Sequence, residues 1–461
     1  MSPIFANTDT ICAPATAAGG AISVVRISGP DAIAAADAIF SRDLLQAPGY
    51  TLHYGHIFTS AAGKSGADEL LDDVMVSVFR APRSYTGEDS VEISCHGSAF
   101  IVQQILLLLQ SHGCRMAQPG EFTQRAFLNG RMDLTQAEAV ADLIASTNAA
   151  THRLAMSQMR GGITRVLVEL RQELLKLTSL LELELDFSDH EDLEFADRTQ
   201  LTEITDKLLN HVGRLADSFK TGQAIKDGIP VAIIGAPNVG KSTLLNQLLQ
   251  DDRAIVSDIQ GTTRDVIEDT ISLEGHTFRF IDTAGIRHTD DTIELLGIER
   301  SMQAIERAQI ILLLTEPNAD FPEINTREDQ VVIAIVNKMD KTGETETSLV
   351  ADAATSADSL HISAKHGQGL EALQARLIDE AKRLTATESD LIVTNARHHA
   401  ALCEARSSLQ RVASALALGI SGDLIAQDLR ETLFHLAEIT GGEITSDEVL
   451  GNIFSHFCIG K

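Results

Sequence analysis

The sequence predicts a multidomain α/β protein, with a small N-terminal α/β unit, a helical segment, and a doubly wound, mostly parallel sheet inserted into that helical segment. Three observations predict it. The 461 residues suggest about three domains at roughly 150 residues each. From Gly228 to about Arg383 short apolar runs alternate with helical spacing, the pattern of a parallel sheet covered by helices. On both sides of that stretch, helical spacing continues without a strand signal.

Taken in order, Ala21–Ile27, Thr51–Phe58, Asp73–Phe79 and Ser90–Cys95 alternate or run continuously in apolar residues and read as strands, followed by a helix near Ala99–Gln110. After Pro119–Gly120 the spacing turns helical, from Thr135 to about Lys220, with an interruption near Phe187–Asp192. Glu182 to Asp197 holds eight carboxylates and no Lys or Arg, which reads as a solvated face. Within the insertion Val231–Ile234, Thr277–Ile281, Ile310–Leu314 and Val331–Val336 are the buried-strand candidates. Beyond Arg383 the chain is helical to Phe457. The divisions fall at 1–118, 119–227, 228–383 and 384–461.

Composition narrows the function classes. With 37 Lys and Arg against 65 Asp and Glu, the formal charge is −28, which disfavours wrapping a polyanion unless a local basic patch or a partner makes the contact. Small phosphates held by backbone amides are unaffected by that balance. No run approaches the ~18 apolar residues of a spanning helix, so no membrane span is expected. Met1 to Thr10 lacks the basic and apolar segments of a secretory signal. Cys12, Cys95, Cys114, Cys403 and Cys458 are far apart with no C-x-x-C pair, which fits a reducing cytoplasm.

Gly235-Ala-Pro-Asn-Val-Gly240-Lys241-Ser242 matches G-x-x-x-x-G-K-[ST], directly after one strand candidate and before a helix. Such a P-loop converges backbone N–H groups on phosphates; Lys241 meets the β and γ oxygens, and Ser242 can ligate Mg²⁺, with Thr243 beside it. Further segments follow in the order a GTPase needs: Gly261-Thr262-Thr263-Arg264-Asp265, Asp282-Thr283-Ala284-Gly285, Asn337-Lys338-Met339-Asp340 and Ser363-Ala364-Lys365. A threonine in the first reaches Mg²⁺ and the γ-phosphate, Asp282 holds the metal's water shell, and the Gly285 amide senses the γ-phosphate. Five motifs in register resemble the TRAFAC GTPases. In that superfamily the carboxylate at Asp340 accepts the two guanine N–H donors, which implies GTP over ATP.

A water-positioning side chain is missing after Gly285, where Ile286 can neither orient a nucleophile nor accept its proton. Asp290, Asp291 and Glu294 are candidates, or simply solvated loop carboxylates. No cis arginine finger is evident, so a trans arginine or a monovalent cation is needed to offset the developing charge. Asn238 could supply an oxygen to such a cation, with carbonyls in Ser257–Thr262, or could cap its own loop.

The G motifs fit ribosome-assembly or iron-transport GTPases equally well; the flanks decide. Asp9-Thr-Ile, Ser23-Val-Val-Arg26-Ile-Ser-Gly29, Ser84-Tyr-Thr-Gly-Glu-Asp89, Val91-Glu92 with His96-Gly97, Pro119-Gly-Glu-Phe-Thr-Gln-Arg-Ala-Phe-Leu-Asn129 and the terminal Phe457-Cys-Ile-Gly-Lys461 resemble the MnmE (TrmE) family of tRNA modification GTPases. The resemblance runs from Asp9 to Lys461. It implies an N-terminal domain that dimerises and binds a 5,10-methylene- or 5-formyl-tetrahydrofolate through Arg26, Glu92, Arg131 and Lys461, and a helical domain that carries the G domain. It also implies K⁺ contacts from Asn238, Ser257, Ile259 and Thr262, Mg²⁺ held by Ser242 and Thr263, and a water oriented by Glu294 as the catalytic carboxylate. Cys458 lies by the folate in the family and is either a reactive thiol or a buried small hydrophobe.

The activity implied is K⁺-stimulated GTP hydrolysis that, with an MnmG (GidA)-type FAD protein using NADH, installs an aminomethyl or carboxymethylaminomethyl group at C5 of the wobble uridine of certain tRNAs. The implied assembly is a homodimer joined by its partner into a heterotetramer. Two rivals compete: a regulatory GTP-binding module that docks on the ribosome, which would leave the folate-like residues without a ligand, and a dead G domain used as a clamp. Lys241, Ser242, Thr263 and Asp282 all stand, against the last.

Overall fold

The computed structural model describes residues 9–59, 69–186, 198–251, 269–281, 302–341, 359–385 and 391–442, together with 450, 453, 454, 457 and 460. In chain order the strands are β1 (Ile11–Pro14), β2 (Ile22–Ser28), β3 (Thr51–Phe58), β4 (Leu70–Phe79), β5 (Ser90–His96), β6 (Arg115–Met116), β7 (Ile229–Gly235), β8 (Asp269–Leu273), β9 (His276–Phe280), β10 (Ile310–Thr315), β11 (Val331–Val336) and β12 (Ser359–His361). The helices are α1 (Ala32–Ile39), α2 (Ala99–Ser111), α3 (Glu121–Leu128), α4 (Leu134–Ala145), α5 (Ala149–Met159), α6 (Gly162–Asp186), α7 (Arg198–Asp217), α8 (Phe219–Lys226), α9 (Lys241–Asp251), α10 (Leu370–Thr385), α11 (Ala396–Ala417) and α12 (Gly422–Thr440). Among the described residues no helix is long and apolar enough to cross a membrane.

The chain divides into two compact units, one of Met1–Ala145, Ala155–Leu209 and Glu404–Lys461, the other of Ser146–Leu154 and Asn210–Cys403. The first contains a sheet of order β3-β4-β5-β2-β1-β6, antiparallel except where β6 runs parallel to β1. Period-two alternation builds it: Val74, Val76 and Val78 of β4, Val91 and Ile93 of β5, and Val25 and Ile27 of β2 all turn to one face, where Ile105 and Leu109 of α2 cover them. Arg26 and Glu92 fall on the opposite face of the same strands. Farther along this unit, α6 buries Ile163, Leu167, Leu170, Leu174, Leu177 and Leu181, and α12 buries Ile425, Leu429, Thr432, Leu436 and Ile439. Spacings of four and three make one apolar seam on each helix, and the two helices pack together.

The second unit holds a sheet of order β12-β11-β10-β7-β9-β8, parallel throughout except for the β8–β9 hairpin. Its central strand, β10, is buried at all six positions, as its unbroken apolar run demands. Leu244, Leu245 and Leu248 of α9 and Leu370, Leu373 and Leu377 of α10 fill the same core.

The expected strands and the helix at Ala99–Gln110 are present, Thr51–Phe58 and Val331–Val336 with the expected ends and the others with ends shifted by at most three residues. Composition alone gave no sign of β1, β6, β8, β12 or α1. The first four are short, and β8 buries only Ile271, so alternation has little to work on; α1 is mostly alanine, which leaves no polar face to reveal its period. The interruption expected near Phe187–Asp192 lies outside the described residues.

Candidate functional site

The loop from Gly235 to Gly240 leaves the carboxyl end of β7 and enters α9 at Lys241. At such a helix start the first backbone N–H groups have no intrahelical acceptor, which makes the position suited to an anion. Lys241 Nζ donates to the carbonyls of Gly235 at 2.8 Å and Ala236 at 2.9 Å, so its ammonium lies within the curve of its own loop. Burial holds its pKa below the ordinary lysine value. Ser242 is half-buried and Thr243 exposed in the first turn.

A second cluster forms where β11 and β12 end. Asn337, 2% exposed, donates from Nδ2 to the Val239 carbonyl at 2.8 Å and accepts the Ala364 N–H at Oδ1 at 3.0 Å. One side chain thereby ties the P-loop to Asn337–Asp340 and to Ser363–Ala364. The approach is so close that a Cβ at Gly240 would stand 2.3 Å from Asn337 Nδ2, and Gly240 also has a φ of +102°. No other residue satisfies both demands. Lys338, with φ of 64°, donates from Nζ to the carbonyl of Asn238, itself at φ 62°, and pairs with Glu316. Ser363 Oγ donates to Asp340 Oδ1 at 2.7 Å, and that hydroxyl holds the Asp340 carboxyl below its ordinary range. An ionised, oriented carboxylate of this kind accepts two adjacent N–H donors, the edge that guanine presents and adenine does not.

The residues present suit a guanine nucleotide, with donors toward phosphate at one end and an acceptor toward the base at the other. Ser242 supplies a hydroxyl oxygen of the type Mg²⁺ takes. Ser257, Ile259, Thr262, Thr263, Asp282, Thr283, Ala284, Gly285 and Glu294 lie outside the described residues, as do Cys458 and Lys461.

In the first unit Arg26 and Glu92 are direct cross-strand partners, with Arg26 Nε 2.9 Å and a terminal nitrogen 2.8 Å from Glu92 Oε1. Another Arg26 nitrogen donates to the Gly460 carbonyl at 3.1 Å, which places Gly460 against the N-terminal sheet. The guanidinium sits 5.4 Å from the Tyr85 ring centre and 5.7 Å from that of Phe122, a cationic group between aromatic faces. Arg131 is exposed, its Cγ close to Gly87.

The helical-domain family described as "MnmE helical domain" matches residues 134–458, and the family "GTP-binding protein TrmE N-terminus" matches residues 10–131. The tRNA modification GTPase MnmE of Parabacteroides distasonis is 54% identical over 466 residues, covering 98% of this chain and 100% of that protein. Its counterpart in Bacteroides fragilis is 52% identical over 473 residues, covering 99% and 100%. This chain belongs to the MnmE family of tRNA modification GTPases. The G domain of the T. maritima FeoB iron transporter covers 33% of this chain and 98% of its own at 20% identity and a TM-score of 0.23.

Two features of the site carry little signal in the sequence. Glu316, at the end of β10, is bonded into the nucleotide site through Lys338; a carboxylate just past the carboxyl end of a buried central strand was the available signal. The other is a charge network behind the N-terminal site. Arg125 bonds Asp9 at 2.6 Å and Glu121 at 3.0 Å, and Arg115 bonds the same Glu121 at 2.6 Å and the same Asp9 at 2.7 Å. Glu121 and Arg125 are 1% and 4% exposed, so each charge depends on the others. Arg115, Glu121 and Arg125 are close in sequence, but Asp9 is 106 positions from Arg115, and only the fold brings it to α3.

Proposed function

We propose that this MnmE-family GTPase is stimulated by K⁺ and acts with an MnmG (GidA)-type FAD protein to place an aminomethyl or carboxymethylaminomethyl group at C5 of the wobble uridine in certain tRNAs. The one-carbon unit comes from a methylene-tetrahydrofolate. The observation that carries this beyond plain GTP hydrolysis is the Arg26–Glu92 pair between Tyr85 and Phe122, with the Gly460 carbonyl against it. A pterin offers a flat ring with an N–H edge, and its glutamate tail offers carboxylates. Glu92, with Arg26 paired beside it, accepts from the first, Arg131 pairs with the second, and the half-buried Tyr85 ring supplies a stacking face.

In this reading 1–118 is the folate-binding and dimerisation domain, 119–227 and 384–461 form the helical domain, and 228–383 is the G domain. Lys241, Gly240 and Thr243 with Asn238 receive the phosphates; Asn337, Lys338, Asp340, Ser363 and Ala364 receive the guanine. Ser242 and Thr263 hold Mg²⁺, with Asp282, Thr283, Ala284 and Gly285 beside the γ-phosphate. Asn238, Ser257, Ile259 and Thr262 face K⁺, which when bound offsets negative charge between the phosphates. Glu294 orients water, and Lys461 and Cys458 stand by the folate. The protein works in the cytoplasm as a homodimer, in a heterotetramer with its partner, and the partner carries most of the tRNA contact because this chain has a formal charge of −28. Nucleoside mass spectrometry of bulk tRNA from cells with and without the gene tests the reading: the C5-substituted wobble uridines disappear without it. Their persistence would leave the GTPase and remove the tRNA chemistry.

A further inference from the structure

The carboxyl end of the central strand places an acidic side chain where the GTPase motifs have no role for one. Thr315, 5% exposed, closes β10 and donates its hydroxyl to the carbonyls of Ala319 and Asp320, both at 3.1 Å. The Ala319 N–H in turn donates to the Glu316 carbonyl at 3.1 Å, so Glu316 stands on a pinned turn. Because Thr315 pairs in register with Val336, the next residues along each strand, Glu316 and Asn337–Lys338, lie side by side. Glu316 Oε1 accepts from Lys338 Nζ, and Lys341 Nζ approaches Oε2 to 4.0 Å. Lys338 Nζ donates a second N–H to the Asn238 carbonyl at 2.5 Å.

We propose that Glu316 is a positioning residue of the nucleotide site, holding Lys338 across the P-loop and so setting how tightly the site retains guanine nucleotide. A lysine side chain has four rotatable bonds and is costly to fix. A carboxylate on a rigid strand end removes most of that freedom before nucleotide arrives, and the Lys338 ammonium then holds the Asn238 carbonyl in its left-handed turn. Glu316 touches neither phosphate nor base. Its influence travels through one side chain. Losing it frees Lys338 to swing into water and leaves the loop ahead of Gly240 less well ordered for the phosphates.

The inference rests on the GTP site alone and is independent of the tRNA and folate chemistry. Wild-type full chain binding a fluorescent GDP analogue verifies that site first. In E316Q, which keeps shape and removes charge, and in E316A, the analogue dissociates about threefold to tenfold faster, and KM for GTP rises by a similar factor with kcat at saturating GTP little changed. E316D, shorter but still anionic, recovers part of the loss. The decisive arm is a cycle with K338A: in that background E316A has no further effect on dissociation. Unchanged dissociation in both E316Q and E316A, or a full E316A effect without Lys338, overturns the inference. A fall in kcat at unchanged KM also overturns it, since that places Glu316 in the chemical step.

Discussion

Asn337→Ala tests the connection on which the nucleotide site depends. The side chain is 2% exposed and spends both polar ends on backbone groups, the Val239 carbonyl at 2.8 Å and the Ala364 N–H at 3.0 Å. Val239 and Ala364 are each 1% exposed, so water reaches neither readily once the amide is gone. A buried polar group left unpaired costs about 1–3 kcal/mol, and two of them, partly relieved by a water entering the vacated space, cost about 2–4 kcal/mol. That loss falls on the strands that carry the loops. Site-resolved amide hydrogen exchange of the full chain without nucleotide reads it directly: at about 1.4 kcal/mol per tenfold, amides of β7, β10 and β11 exchange roughly 30- to 1000-fold faster in the variant. Amides of β4 and β5, in the other unit, keep their rates and serve as the internal reference. GTP affinity falls as well, since the P-loop and the guanine loop are no longer tied. Exchange in β7 and β11 within about threefold of the parent would show that Asn337 is not what joins these segments.

Three further outcomes are expected. Asp340→Asn replaces two acceptor oxygens by one acceptor and one donor; GTP affinity drops about 10- to 100-fold in equilibrium titrations while xanthosine triphosphate, which offers an acceptor at the matching position, gains. Equal losses for both nucleotides would mean that Asp340 does not face the base. Arg26→Ala removes the guanidinium shared by Glu92 and Gly460, and binding of 5-formyl-tetrahydrofolate weakens about tenfold or more by calorimetry, with GTP turnover unaffected; retained folate affinity would move the folate elsewhere. At Glu121 burial pushes the carboxyl up, but hydrogen bonds from Arg115, the Gln118 amide and Arg125 outweigh it and hold the group below the ordinary 4.5. A depressed folded-state pKa gives stability that is complete above the unfolded value and lost as pH falls through the folded one. Glu121→Gln therefore lowers the melting temperature of the first unit at neutral pH and by less and less below about pH 4.5, where a constant offset down to pH 3 would contradict the network.

The nucleotide site was legible because its chemistry is local. A phosphate loop needs glycine, lysine and serine at fixed spacing immediately after a strand, so Gly240, Lys241 and Ser242 announce themselves in eight residues. The folate-like residues were legible only by resemblance: nothing in the spacing of Arg26 and Glu92, 66 positions apart, says that they meet. Asp9, Glu121 and Arg125 lie in motif segments and Arg115 in none, and nothing along the chain says that the four form one charge network.

By itself, then, the sequence determined whatever depends on neighbours within a turn or a strand: the parallel sheet of unbroken apolar runs, the helical seams at spacings of three and four, and the five GTPase motifs in order. Tertiary structure decided what depends on which strand ends lie side by side. Pairing Thr315 with Val336 put Glu316 against Lys338, and the crossing of Gly240 under Asn337 fixed which residue the loop could bear there. Both are consequences of register and close packing between distant segments, and no periodicity along a single chain records the distance between two of its strands.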